Sequence, residues 1–92
     1  MRFEWDPAKA DSNLRKHGVS FEEAQAVFAN SLAVIFEDPV HSVDEQREII
    51  IGHSQRNRLL LVSFTERPGK IRIISARLAT RPEREDYERN GL

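Results

Sequence analysis

The 92-residue chain has no cysteine, which excludes disulfide staples, thiol catalysis and cysteine-ligated metal sites. It has no apolar run near the ~18 residues that a membrane-spanning helix needs. The opening MRFEWDPAKA lacks the basic start and apolar centre of a signal peptide, so a cytoplasmic protein is expected. Its three histidines, His17, His41 and His53, show no H-x-x-H spacing, so neither a metal nor any other cofactor is expected. The phosphate-cradling G-x-x-x-x-G-K-[ST] and G-x-G-x-x-G loops are missing, as is the G-x-S-x-G nucleophile motif. No repeat, linker or low-complexity stretch divides the chain, and one domain over residues 1–92 is expected.

What is present is charge, unevenly placed. Hydrophobic residues make up 39% and charged residues 32%, with a formal net charge of −1. Residues 1–46 hold 4 Lys+Arg against 9 Asp+Glu, net −5, whereas residues 47–92 hold 10 against 6, net +4. A near-neutral total therefore hides one positive region. Eleven of the fourteen basic residues are arginine, the side chain suited to bidentate phosphate contacts and equally an ordinary surface residue.

The pattern along the chain reads as a short strand at 2–5, then a helix capped by Asp6 with Pro7 at its first position. That helix runs to about His17, with Ala10, Leu14 and His17 on one side and Asn13 beside them, and Gly18 stops it. Ser20 and Glu23 form a capping box for a second helix, whose apolar stripe is Phe21, Ala24, Val27 and Phe28. Strands follow at 33–37, 47–53 and 59–66, with a polar loop at 39–46 containing a solvated His41, and turns at 54–58 and 67–70. The last strand starts at Lys70 and breaks at Leu78–Ala79. Thr80 and Glu83 then form a T-x-x-E box that starts a final helix. The expected fold is α+β in two layers. A short N-terminal strand precedes two helices, which cover one face of a four-stranded antiparallel meander through Leu14, Val27 and Phe28, and a C-terminal helix flanks the bare face.

The basic stretch from Lys70 to Arg84 offers guanidinium groups beside a helix start, a pairing that favours anions. The plainer reading, which this stretch alone favours, is a core strand followed by a solvated Arg/Glu helix. Arg72 and Arg77 are five positions apart, so a regular strand sends them to opposite faces unless a bulge intervenes. Arg77, beside Arg81 and Arg84, is the stronger candidate, and its alternative is an ion pair with Glu83 or another carboxylate. Tyr87 shares a face with Arg84 and could order a nucleotide, or else pack the helix with its hydroxyl in water. His17 beside Lys16 is the side chain most suited to proton transfer, or else a cation capping a helix end. Glu66 could act as a base or simply be hydrated at a strand end, with Arg67 after it. His53 reads as a turn marker. The helix at 21–29 carries Glu22 and Glu23 and no Lys or Arg, so direct DNA reading is not expected.

Two stretches together resemble the family of BrnT-type toxins. The first is FEWDPAKADSNLRKHGVSFEEAQAVF, carrying W-D-x-x-K-x-x-x-N-x-x-K-H-G from Trp5 to Gly18. The second is R-I-I-S-A-R from Arg72 to Arg77, followed by A-T-R-x-E-R-x-x-Y from Ala79 to Tyr87. The resemblance implies a RelE-like fold and a metal-free ribonuclease that halts translation. It also implies a BrnA-type ribbon-helix-helix antitoxin as partner, with DNA contacted only through that antitoxin. Arg77, Arg81, Lys16, His17 and Tyr87 are the expected catalytic set, and Arg72, Arg84 and Arg67 the expected RNA contacts. The competing expectation is a binding module without catalysis that assists repression by a DNA-binding partner.

Overall fold

A computed structural model describes residues 1–38 and 46–90; the expectations for His41 and most of the 39–46 loop lie outside them. The elements are β1 (Arg2–Glu4), α1 (Pro7–His17), α2 (Phe21–Val27), β2 (Val34–Glu37), β3 (Glu48–His53), β4 (Leu59–Arg67), β5 (Lys70–Leu78) and α3 (Arg81–Asn90). They form an α+β domain with one five-stranded sheet in the order β1-β5-β4-β3-β2. β2 to β5 make the expected antiparallel meander. β1 joins it as a fifth strand, parallel to β5, with Arg2 opposite Lys70 and Glu4 opposite Arg72. None of the described helices is long and apolar enough to cross a membrane.

The helix ends follow the local chemistry. Asp6 accepts from the Ala8 and Lys9 amides at 2.8 and 3.4 Å, and Gly18 ends α1 in the left-handed region at φ 68°. Ser20 Oγ accepts from the Glu23 amide at 3.0 Å, one half of the expected box. The Glu23 carboxylate turns away from the helix start. It accepts from Ser54 Oγ at 2.7 Å and from the Arg58 guanidinium, which holds its pKa below the ordinary range. Arg58 also donates to the Gly18 carbonyl at 3.0 Å, so one buried carboxylate ties α2 and the end of α1 to the β3–β4 turn.

α1 and α2 cover one face of the sheet. Val19, Phe21, Ala24 and Val27 pack there on Ile50, Leu60, Val62, Phe64, Ile71, Ile73 and Ala76. Burial of each large side chain contributes about 2 kcal/mol. Phe28 joins the layer to the β1 edge, its ring 5.2 Å from Phe3 and 5.0 Å from Phe64. The layers meet so closely at β3 that a Cβ on Gly52 would lie 2.8 Å from that of Ala33.

Leu14 departs from expectation: it is 49% exposed, and Asn13 is buried in its place. The reason is the free edge of β5. β1 pairs only with residues 70–72, which leaves the Ala76 backbone facing α1. The Asn13 side-chain amide donates to Ala76 O at 2.8 Å and to Val19 O at 2.9 Å, and its oxygen accepts from Ala76 N at 3.1 Å. The helix is turned so that an amide, not a leucine, meets the strand, since unpaired buried peptide groups are costly. Asn13→Ala should lower the unfolding free energy by about 3 kcal/mol. Urea titration should show a lower midpoint with an unchanged slope.

Candidate functional site

The other face of the sheet is the bare one, and a bulge decides what it displays. Ser63 pairs with Ser75 but Phe64 with Ile73, so Ile74 is an extra residue in β5. One extra residue inverts the alternation beyond it. Arg72 lies opposite Thr65 and Arg77 opposite Leu61, both on the face away from α1 and α2. The two arginines therefore share the bare face. Their partners are four positions apart on β4, about 13 Å along the strand, with the Ser63–Ser75 pair between them. They do not close on a single point.

Each arginine has its own carboxylate. Arg72 donates to Glu4 at 3.2 Å, and Lys70 and Arg67 lie 3.1 and 3.8 Å from the same side chain. Lys70 first and Arg72 next lower the Glu4 pKa, and three cations around one carboxylate leave this corner positive. At the other end Arg77 forms a two-pronged pair with Glu83, Nη1 to Oε1 at 2.8 Å and Nη2 to Oε2 at 2.9 Å. Nη1 also donates to Leu78 O at 3.2 Å. Glu83 completes the capping box by accepting from Thr80 N at 2.8 Å. These bonds, the Arg77 pair foremost, lower its pKa to about 2. Among the described residues the other edge of the Arg77 guanidinium, Nε–H with the outer Nη2–H, carries no further bond.

The remaining candidates are spread over several elements. Arg81 is 89% exposed and pairs with Glu85 one turn on, at 3.1 Å; Arg84 is also exposed. Lys16 and His17 are exposed at the end of α1. His17 stands one turn beyond Asn13 on the same side of the helix, and Asn13 is bonded to Ala76. Gly18 is tied to Arg58, next to Leu59, whose carbonyl accepts from Ala79 N at 2.9 Å. The end of α1 is thus tied to the start of β4, and the chain just before α3 is paired to the same strand. Tyr87 is 6% exposed, and its hydroxyl donates to Leu32 O at 2.8 Å rather than to water. Its ring meets His53 edge-on at 5.9 Å. Together with Val34, Phe36, Ile51, Leu61, Glu83 and Asp86 it lines a groove of about 170 Å³ between the sheet and α3. Glu66 is exposed at the far end of β4. Among the described residues no group of three His, Cys, Asp or Glu could hold a metal ion.

Sequence reasoning did not single out Glu4 or the Ser63–Ser75 pair. Glu4 reaches its cations only because β1 pairs with a strand nearly seventy residues away. The serines face the arginines only because of the bulge.

The family model described as "Ribonuclease toxin, BrnT, of type II toxin-antitoxin system" matches residues 5–83. The chain belongs to the BrnT family. The crystal structure of the Brucella abortus ribonuclease toxin BrnT is similar in fold, with a TM-score of 0.69 at 25% sequence identity, covering 88% of this chain and 99% of that one. No curated protein sequence matches. BrnT proteins are ribonuclease toxins of type II toxin–antitoxin systems, a class that implies an antitoxin partner.

The Glu83–Arg77 pair has a pH signature. A carboxylate whose folded pKa lies below its ordinary 4.5 stabilises the fold above that value and loses the contribution as pH falls toward about 2. Glu83→Gln should flatten the acid limb of stability between pH 4.5 and 2, measured by urea unfolding across that window. Residual slope is expected from Glu4 and Glu23, whose pKa values are also lowered.

Proposed function

We propose that this BrnT-family chain is a cytoplasmic, metal-independent endoribonuclease that inhibits translation and is neutralised by a BrnA-type ribbon-helix-helix antitoxin. The observation that carries this reading is the state of Arg77. Glu83 occupies one fork of its guanidinium and fixes its orientation, and the other N–H edge is left for two oxygens of a phosphodiester. The neighbouring Arg81 adds charge at the same corner.

In metal-independent cleavage the ribose 2′-hydroxyl attacks the adjacent phosphorus. A base removes the hydroxyl proton, the 5′-oxygen leaves with a proton from an acid, and a 2′,3′-cyclic phosphate remains. Arg77 and Arg81 stabilise the charge that builds on the phosphorane oxygens. His17 or Lys16 moves the proton. Tyr87 acts as a positioning residue: its hydroxyl on Leu32 and its buried ring hold α3, and with it Arg81 and Arg84, against the sheet. Arg72, Arg67 and Arg84 contact the RNA backbone on either side. DNA is reached only through the antitoxin, in a complex that represses its own operon.

The second reading is a binding module without catalysis that pairs with a DNA-binding partner. It is favoured by the commitment of Glu83 to Arg77 and of the Tyr87 hydroxyl to Leu32, since both are bonds a purely structural corner would make. RNA cleavage separates the two. The purified chain should cleave RNA in EDTA. Arg77→Ala should lower the rate about 100- to 1,000-fold and His17→Ala about 100-fold or more, with folding retained by circular dichroism. Undiminished cleavage by folded Arg77→Ala would remove Arg77 from the site, and no cleavage by the unaltered chain would favour the binding module.

A further inference from the structure

The most conspicuous surface outside the arginine corner is the far edge of the sheet. All four residues of β2 are exposed. Val34 is 37% accessible, Ile35 52% and Phe36 46%, and Leu32, just before the strand, is 54%. Among the described residues, four of the seven exposed large hydrophobic side chains therefore lie within five positions. Apolar side chains concentrated in this way mark contact surfaces. β2 has β3 as its only strand neighbour among the described residues, and no lysine or proline interrupts its four residues to discourage pairing.

We infer that the antitoxin docks here, as an extended segment that adds a strand to β2; this rests on the toxin reading above. Main-chain hydrogen bonds to the strand edge would supply affinity, and alternate side chains would supply specificity. On the bare face they meet Val34 and Phe36, which open into the groove between β3, β4 and α3. The carboxylates Glu37 and Asp86 border this region, while Glu83 is already paired with Arg77, so the segment carries Lys or Arg among its apolar residues. A second copy of the chain would bring the same carboxylates to the contact, and like charges disfavour that occupant.

The register adds a functional consequence. Val34 pairs with Ile51, Ile51 with Leu61, and Leu61 with Arg77, one row across the bare face. A polypeptide anchored at β2 and continued along this row ends over the Arg77–Glu83 pair. Docking at the edge and covering the proposed phosphate grip are then one event.

The test uses the full chain together with a BrnA-type antitoxin, the partner proposed above. Ile35→Lys and Phe36→Lys alter exposed positions, so the free variants should unfold at the same temperature and cleave RNA at the same rate as the unaltered chain. Their dissociation constants for the antitoxin should rise about 30-fold or more, and co-expressed antitoxin should no longer prevent growth arrest. In the unaltered complex, amide exchange at residues 34–37 should slow at least tenfold relative to free toxin. Antitoxin binding within twofold of normal by both variants, or unchanged exchange at 34–37, overturns the proposal. So does a dimer of the free chain that the same substitutions dissolve, because the edge then belongs to a second copy. Loss of antitoxin binding in the variants of a chain that never cleaves RNA would leave the docking edge standing and remove the ribonuclease reading. Cleavage with antitoxin binding indifferent to the edge would do the reverse.

Discussion

The Asn13 amide is the interaction on which the arrangement of this domain depends. A sheet whose fifth strand is only three residues long leaves β5 with an exposed backbone where it passes under α1. Asn13 supplies both a donor and an acceptor there, substituting for the strand that is missing, and holds Val19 at the start of the next helix with its second N–H. Only an amide side chain of this length offers both polarities at one point. The angle of α1 and the exposure of Leu14 both follow.

The bulge at Ile74 does for the bare face what Asn13 does for the covered one. It lets β5 send Ile71, Ile73 and Ala76 into one core and Arg72 and Arg77 to the other side, a combination that strict alternation forbids. The result is an extended basic strip in which each guanidinium is oriented by a carboxylate. That arrangement spreads the charge along the strand instead of gathering all the arginines at one point.

Much of the fold was legible because its signals are local. Asp6–Pro7, Ser20, Thr80–Glu83, Gly18 and the Pro68–Gly69 turn each state a backbone requirement within a few residues. The apolar alternation of β4 gave the orientation of the meander. The parts that were not legible depend on contacts distant in sequence. Leu14 looked like the inward residue of α1 because its neighbours alone do not show that β5 presents an unpaired peptide group. The Glu23 carboxylate looked like a capping partner until Arg58 and Ser54 came within reach. At the site, the family motifs singled out the arginines as a group. Whether Arg72 and Arg77 shared a side depended on a single bulged residue with no signature in a run of isoleucines, and the burial of Tyr87 depended on where the Leu32 carbonyl lies.

The parallel pairing of β1 with β5 has a consequence for the birth of the molecule. Glu4 and Arg72 are 68 positions apart, and Asn13 and Ala76 are 63 apart. During synthesis the first strand and first helix wait, without their partners, until the chain has been made through Ala76. Contacts so distant in sequence close late. The basic strip that these pairings orient is therefore completed late in folding.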